Sequence, residues 1–135
     1  MKAEKIRIVI VEDNAADLGL LMRHLKKAKF DKHVKVISDG KAAFEWLSGG
    51  DQPGKDLIAV FLDLSLPSIS GLRVLEMIRS NEGTRHLPVI VMTGSVDPED
   101  LNKCRQLGVS CYVQKPITVA TFTKAVADIF HSPAT

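Results

Sequence analysis

Little in this chain of 135 residues stands out by abundance. It has two cysteines, Cys104 and Cys111, one tryptophan and one tyrosine, and aromatics make up only 5% of it. Two cysteines without metal-ligand spacing exclude a disulfide scaffold and a structural zinc site. In their apolar surroundings they are expected to be reduced core or near-core thiols of a reducing cytosol. An excess of one charge is missing too: 18 Lys and Arg face 16 Asp and Glu, for a formal net charge of +2. That balance sets up no strong field for nucleic acid or for an anionic membrane. No apolar run approaches the roughly 20 residues that span a bilayer. The N-terminus, MKAEKIRIVIVEDN, breaks its short apolar stretch with Arg7 and follows it with acids. It has neither the apolar core nor the cleavage site of a signal peptide, so a cytoplasmic location is expected.

What is present is ordinary in amount and regular in order. Apolar residues make up 45% and charged residues 25%, as in a water-soluble globular protein of a size for one domain. Apolar runs rich in branched residues, bounded by turn signals, predict strands at 6–11, 34–37, 56–62, 87–92 and 109–113. Between them, apolar residues recur at helical spacing. Leu18, Leu21, Met22, Leu25 and Ala28 mark a helix over about 15–28, and 41–47 form a short one before the turn 48–54. Leu72, Leu75 and Ile78 mark a third that fades at 81–83. A fourth opens at Asp97-Pro98-Glu99 and ends at Gly108. Phe122, Ala125, Val126 and Ile129 mark the last, capped by Thr118 or Thr121, before the short tail 131–135. The order is (βα) five times. Strands apolar on both faces imply a parallel sheet with helices on each side, an α/β fold. A single domain over 1–135, with its core at about 6–130 and no output domain, is expected.

One residue breaks the pattern. Residues 60–67 read VFLDLSLP, and Asp63 has no basic residue within five positions. An ionised carboxylate buried without a partner is very costly. In open α/β sheets, ligands bind outside the carboxyl ends of the strands, and those ends are polar here. Strand one ends in Glu12-Asp13-Asn14, strand three in Asp63, strand four in Thr93-Gly94-Ser95 and strand five in Gln114-Lys115-Pro116. Strand two, ending near Ser38-Asp39-Gly40, reads as a plain turn. Taken singly, each has an ordinary use: N-cap acids, a turn former, a cap, a loop lysine. Together they bring three carboxylates, a hydroxyl and an ammonium to one edge. Three converging carboxylates need more positive charge than Lys115 supplies. With oxygen ligands only and no His or Cys cluster, Mg²⁺ is the cation that fits. Asp63 can then act as a nucleophile that forms an aspartyl-phosphate, with Mg²⁺, Lys115 and the Thr93 hydroxyl each serving one phosphoryl oxygen.

These segments resemble a receiver domain of a two-component response regulator. VIVEDN (9–14), LDLSLPSISG (62–71), VMTGS (91–95) and YVQKP (112–116) carry the resemblance, in order and spacing, from about residue 6 to 130. It implies the flavodoxin-like fold with strand order 2-1-3-4-5. It implies that Asp63 is the phosphoacceptor for a kinase phosphohistidine, that Asp13 binds Mg²⁺ directly, and that Glu12 acts through a metal-bound water. It also implies that the Ser65 backbone carbonyl is a further ligand, that Thr93 is the switch hydroxyl, and that Lys115 binds the phosphoryl group ahead of a cis Lys115–Pro116 bond. Tyr112 matches the aromatic switch position, with a plain core aromatic as the alternative. VEDNAAD (11–17), TRHLPVIVMTGS (84–95) and the LNKCRQLG helix are similar to small stand-alone regulators paired with bacteriophytochrome-type kinases. The partners implied are a sensor histidine kinase or phosphotransfer protein, a downstream protein target and a phosphorylation-dependent homodimer, with no nucleic acid and no membrane. The role implied is signalling rather than catalysis, beyond assistance to its own phosphorylation and slow dephosphorylation. Two positions depart from the family: Gly94 stands where alanine is frequent, and Ser70 where an acid or amide is common, although Ser70 can still cap a helix.

Two other readings share parts of this pattern. A Mg²⁺-dependent phosphohydrolase of the haloacid dehalogenase type also uses an aspartate nucleophile, but places it in a DxD pattern after the first strand. Here the acid pair comes first and Asp63 lies mid-chain. A flavin-binding flavodoxin-like module would need a phosphate loop after strand one, where the acidic EDNAAD (12–17) would repel a phosphate.

Overall fold

The computed structural model describes residues 6–48, 57–94 and 97–130, the last three of them by backbone alone. Residues 49–54 of the turn expected at 48–54, Ser95, the side chain of Ile129 and the tail 131–135 lie outside the described residues. The strands are β1 (Ile8–Val11), β2 (Val34–Ile37), β3 (Ala59–Asp63), β4 (Val89–Thr93) and β5 (Cys111–Gln114). The helices are α1 (Ala15–Lys27), α2 (Gly40–Leu47), α3 (Gly71–Ser80), α4 (Pro98–Gln106) and α5 (Val119–Phe130). All pairings are parallel, in the order β2-β1-β3-β4-β5. This is the five-stranded parallel α/β sheet that the alternation predicts, in the strand order that the resemblance implies. A 3-10 turn at Asp31–His33, which the apolar pattern does not reveal, leads into β2.

Successive strand residues face opposite sides of the sheet, and both sides are covered. Val9 and Val11 of β1 pack with Val60, Leu62, Val89 and Val91 against α2, α3 and α4. Ile8 and Ile10 pack with Phe61, Ile90 and Met92 against Leu21 and Leu25 of α1 and Phe122 and Ala125 of α5. Burying one such side chain contributes about 1.5–3 kcal/mol, so this alternation fixes the register. Cys104 is buried and Cys111 half-buried, both as thiols. Burial pushes the Cys104 thiol up to about 11, helped by Asp100.

Helix ends follow local chemistry. The Asn14 side chain accepts from Asp17 N (2.9 Å) at the start of α1, and the Ser70 hydroxyl accepts from Arg73 N (3.3 Å) at the start of α3. At α5 both expected caps act: Thr118 Oγ1 accepts from Thr121 N (3.1 Å) and Thr121 Oγ1 from Thr118 N (2.8 Å). This is the reciprocal arrangement of a capping box. Gly108 follows α4 with a φ of +67°, where a side chain would be strained. No helix among the described residues is long and apolar enough to cross a membrane.

Candidate functional site at the carboxyl edge of the sheet

The hydrogen-bonded register carries the ends of β1, β3 and β4 to one edge. Asp63 is the last residue of β3 rather than the first after it, and is 3% exposed. Glu12, next after Val11, is 1% exposed, and its backbone N–H donates to Ile37 O of β2 (3.0 Å). Asp13 is exposed. Carboxylate oxygens of Glu12, Asp13 and Asp63 lie within 4.8 Å of one another. Sequence reasoning brought these three together, and the geometry does the same.

Lys115, just past β5, reaches into this cluster. Its Nζ lies 2.7 Å from Glu12 Oε1, 2.9 Å from Asp17 Oδ2 and 3.0 Å from Asp63 Oδ2. Its own backbone N–H donates to Thr93 O (2.7 Å), and the Lys115–Pro116 bond is cis, as the resemblance implies. Burial works against the ammonium, but its close contacts with the Glu12, Asp17 and Asp63 carboxylates outweigh it and raise its pKa above the usual lysine value. Asp17 is a site residue that the sequence reading missed. It lies in the first turn of α1, where its N–H is capped by Asn14, and its one signal in the sequence is an acid in the first helical turn just after Glu12-Asp13.

One lysine does not neutralise four carboxylates. Burial pushes the Glu12 carboxyl up to about 7; the hydrogen bond with Asp63 adds to this, while Lys115 opposes it. Carboxylates packed with too little positive charge share protons in this way. The Lys115–Glu12 contact is close but not aligned as a hydrogen bond, so the buried Glu12 Oε1 has no hydrogen-bond partner among the described residues. An all-oxygen donor set with more negative charge than one ammonium balances fits a hard divalent cation.

Asp63 Oδ1 accepts the Ser65 N–H (3.0 Å), which turns the chain just past the strand and keeps Ser65 beside the cluster. On the other flank, Thr93 ends β4 and is 4% exposed. Strand parity places it with Val89 and Val91, toward α4 rather than toward the acids. Tyr112 packs on that same side. Its hydroxyl oxygen is buried and has no hydrogen bond of full geometry among the described residues, although the Thr93 side chain and the Asp97 backbone face it. Burial raises the phenol pKa, Cys104 and Asp100 add to this, and Thr93 and Asp97 oppose it. The ring therefore already points inward in this structure.

Strand two does not end in a plain turn, contrary to expectation. Asp39 caps α2, accepting from Lys41 N (2.8 Å), and also accepts the Ser68 hydroxyl from the loop after β3. That hydroxyl, then Lys41 N, hold the Asp39 carboxyl below its ordinary pKa.

Comparison with known proteins identifies the family. Residues 8–127 match the response regulator receiver domain family. The probable methanogenesis regulatory protein FilR2 of Methanothrix harundinacea is 35% identical over 90% of this chain and 79% of its own. Response regulator Rcp1 of Synechocystis is 33% identical over 90% of this chain and 84% of its own. A structure of the Mn²⁺-bound form of a response regulator Rcp1 aligns with a TM-score of 0.74, at 30% identity over 95% of both chains. The bacteriophytochrome response regulator AtBRR aligns with a TM-score of 0.77, at 37% identity over 94% of both chains.

Proposed function

Because the chain belongs to the response regulator receiver domain family, we propose that Asp63 is its phosphoacceptor and that the carboxylates around it hold Mg²⁺. One observation carries this: a buried carboxylate at the end of β3, touched by the Lys115 ammonium at 3.0 Å and flanked by Glu12 and Asp13. A carboxylate oxygen of Asp63 attacks the phosphorus of a kinase phosphohistidine, the P–N bond breaks, and the imidazole leaves with the electron pair. Asp13 and Asp63 with the Ser65 carbonyl would hold the cation directly, and Glu12 would hold it through water. When bound, the cation supplies positive charge to the carboxylates and to the phosphoryl oxygens. Lys115 has its ammonium against Glu12, Asp17 and Asp63, and would turn one N–H to a phosphoryl oxygen. Thr93 would approach another. The role is signalling, as fits the family, with a sensor histidine kinase as donor. The likeness to AtBRR supports a kinase of bacteriophytochrome type. A downstream protein, and a homodimer formed on phosphorylation, are the readouts in this reading, in the cytoplasm. The phosphohydrolase and flavin alternatives are not favoured.

The test is beryllofluoride, a phosphoryl mimic, added with Mg²⁺ and followed by amide NMR. Shifts centred on Asp63 and absent in Asp63→Ala are expected. Shifts that persist in the variant would move the site elsewhere.

A further inference from the structure

The loop 64–70 joins β3 to α3 and carries Ser65. Most of it is exposed, and Ser68 stands in it with a φ of +66°, which costs a residue with a side chain free energy. What holds Ser68 there lies on another element. Its hydroxyl donates to Asp39 Oδ1 and accepts from Lys41 N (3.2 Å), both at the start of α2. Gly40 N donates to Pro67 O (3.3 Å). A Cβ on Gly40 would fall 1.9 Å from Ile69 O, so only glycine lets the two backbones meet. The loop is tied at its other end by Ser65 N on Asp63 Oδ1 (3.0 Å) and by Gly71 N on Leu64 O (3.0 Å). The N-terminus of α2 is thus fastened, through Pro67, Ser68 and Ile69, to the backbone that follows Asp63.

We propose that Asp39 and Ser68 are positioning residues, a latch by which α2 fixes the loop beside Asp63. The latch lies on the β2 side of the site, away from Thr93 and Tyr112. Its link to metal binding rests on the function proposed above; its effect on the loop does not. Three substitutions separate hydroxyl from backbone. Ser68→Gly removes the hydroxyl and relieves the positive φ. Asp39→Ala removes the acceptor. Ser68→Asn keeps a side-chain donor in a residue that tolerates positive φ.

The first measurement is amide hydrogen exchange at Ser65 and Gly71 without metal. Exchange about fivefold faster in Ser68→Gly and Asp39→Ala is expected, the equivalent of a hydrogen bond worth ~1 kcal/mol. Amides of β1 and β4 should be unchanged, and Ser68→Asn should match the wild type. The second is the Mg²⁺ dissociation constant from NMR titration, expected to rise about fivefold in the same two variants and to return in Ser68→Asn. Loss of global stability alone would speed β1 and β4 alike. Unchanged exchange at Ser65 and Gly71 in Ser68→Gly and Asp39→Ala overturns the latch. If the wild-type protein itself shows no Mg²⁺ response, the metal site falls, and the exchange comparison still decides the latch.

Discussion

Gly71 and Gly94 flank the site, and the space around them differs completely. A Cβ on Gly71 would meet Asp63 O at 2.2 Å and Leu64 Cα at 2.5 Å, backbone atoms that cannot swing away. Gly71→Ala must push the start of α3 off the end of β3, at a cost of about 1–3 kcal/mol. Nothing lies within 4 Å of a Cβ on Gly94. Gly94→Ala should stabilise by about 0.4–1 kcal/mol, by reducing the freedom of the unfolded chain. Urea midpoints should move in opposite directions, and a common direction would show that close approach does not govern these positions. At this scale the acids, Thr93 and Lys115 were legible because strand ends deliver them by position alone. Asp17 and Asp39 were not, because each looks like a first-turn acid or a helix cap until its partner from another element, Lys115 or Ser68, is in place.

Elements were legible wherever apolar residues kept one period. All five strands and five helices were, although the sequence began β1, β3, β4 and β5 two or three residues early; Leu57 and Leu87, for example, are buried before β3 and β4 start. Contacts that tie elements together carry no such period, and Arg79 is the clearest case. From the last turn of α3 its guanidinium donates to Leu107 O (2.6 Å), Gly108 O (3.0 Å), Leu87 O (2.7 Å) and Arg85 O (3.1 Å). It thereby caps the end of α4 and holds the entry to β4. Burial lowers its pKa, yet the group stays charged, so Arg79→Ala strands several carbonyls and should cost about 2–4 kcal/mol. Arg79→Lys should rescue little, because an ammonium cannot form the fork. Denaturant midpoints test both, and a lysine variant equal to the wild type would mean that charge alone suffices. Across β4 and β5 the approach of the Thr93 side chain to the Tyr112 hydroxyl makes a different forecast. With beryllofluoride and Mg²⁺, wild-type shifts should run from Asp63 through Thr93 to Tyr112 and α4. In Thr93→Ala they should stop near Asp63, since the nucleophile and the acids remain but the hydroxyl that faces Tyr112 is gone. Full propagation in that variant would remove Thr93 as the coupling element.

Across the whole molecule a net charge of +2 conceals an uneven distribution. Glu12, Asp17 and Asp63 meet Lys115, and Asp13 lies beside Glu12 and Asp63, a local excess of three negative charges if all are ionised. The fold keeps this cluster because the two-sided apolar core supplies the stability the cluster lacks. Site residues commonly trade stability for activity in this way. Asp13 is the member to remove, being exposed and without an ion pair among the described residues. Asp13→Asn keeps the shape and deletes one repelling charge. In EDTA its melting temperature should exceed the wild-type value by about 2–4 °C. Saturating Mg²⁺ should reverse the order, because a ligand that binds only the folded state stabilises by ~2.7 kcal/mol at a hundred times its dissociation constant. The wild type keeps this gain, and the variant, short of a ligand, loses most of it. The two melting curves should therefore cross as Mg²⁺ is added. A variant that melts below the wild type in EDTA would show that the carboxylates do not strain the fold. A variant that gains as much from Mg²⁺ as the wild type would show that Asp13 is not a ligand.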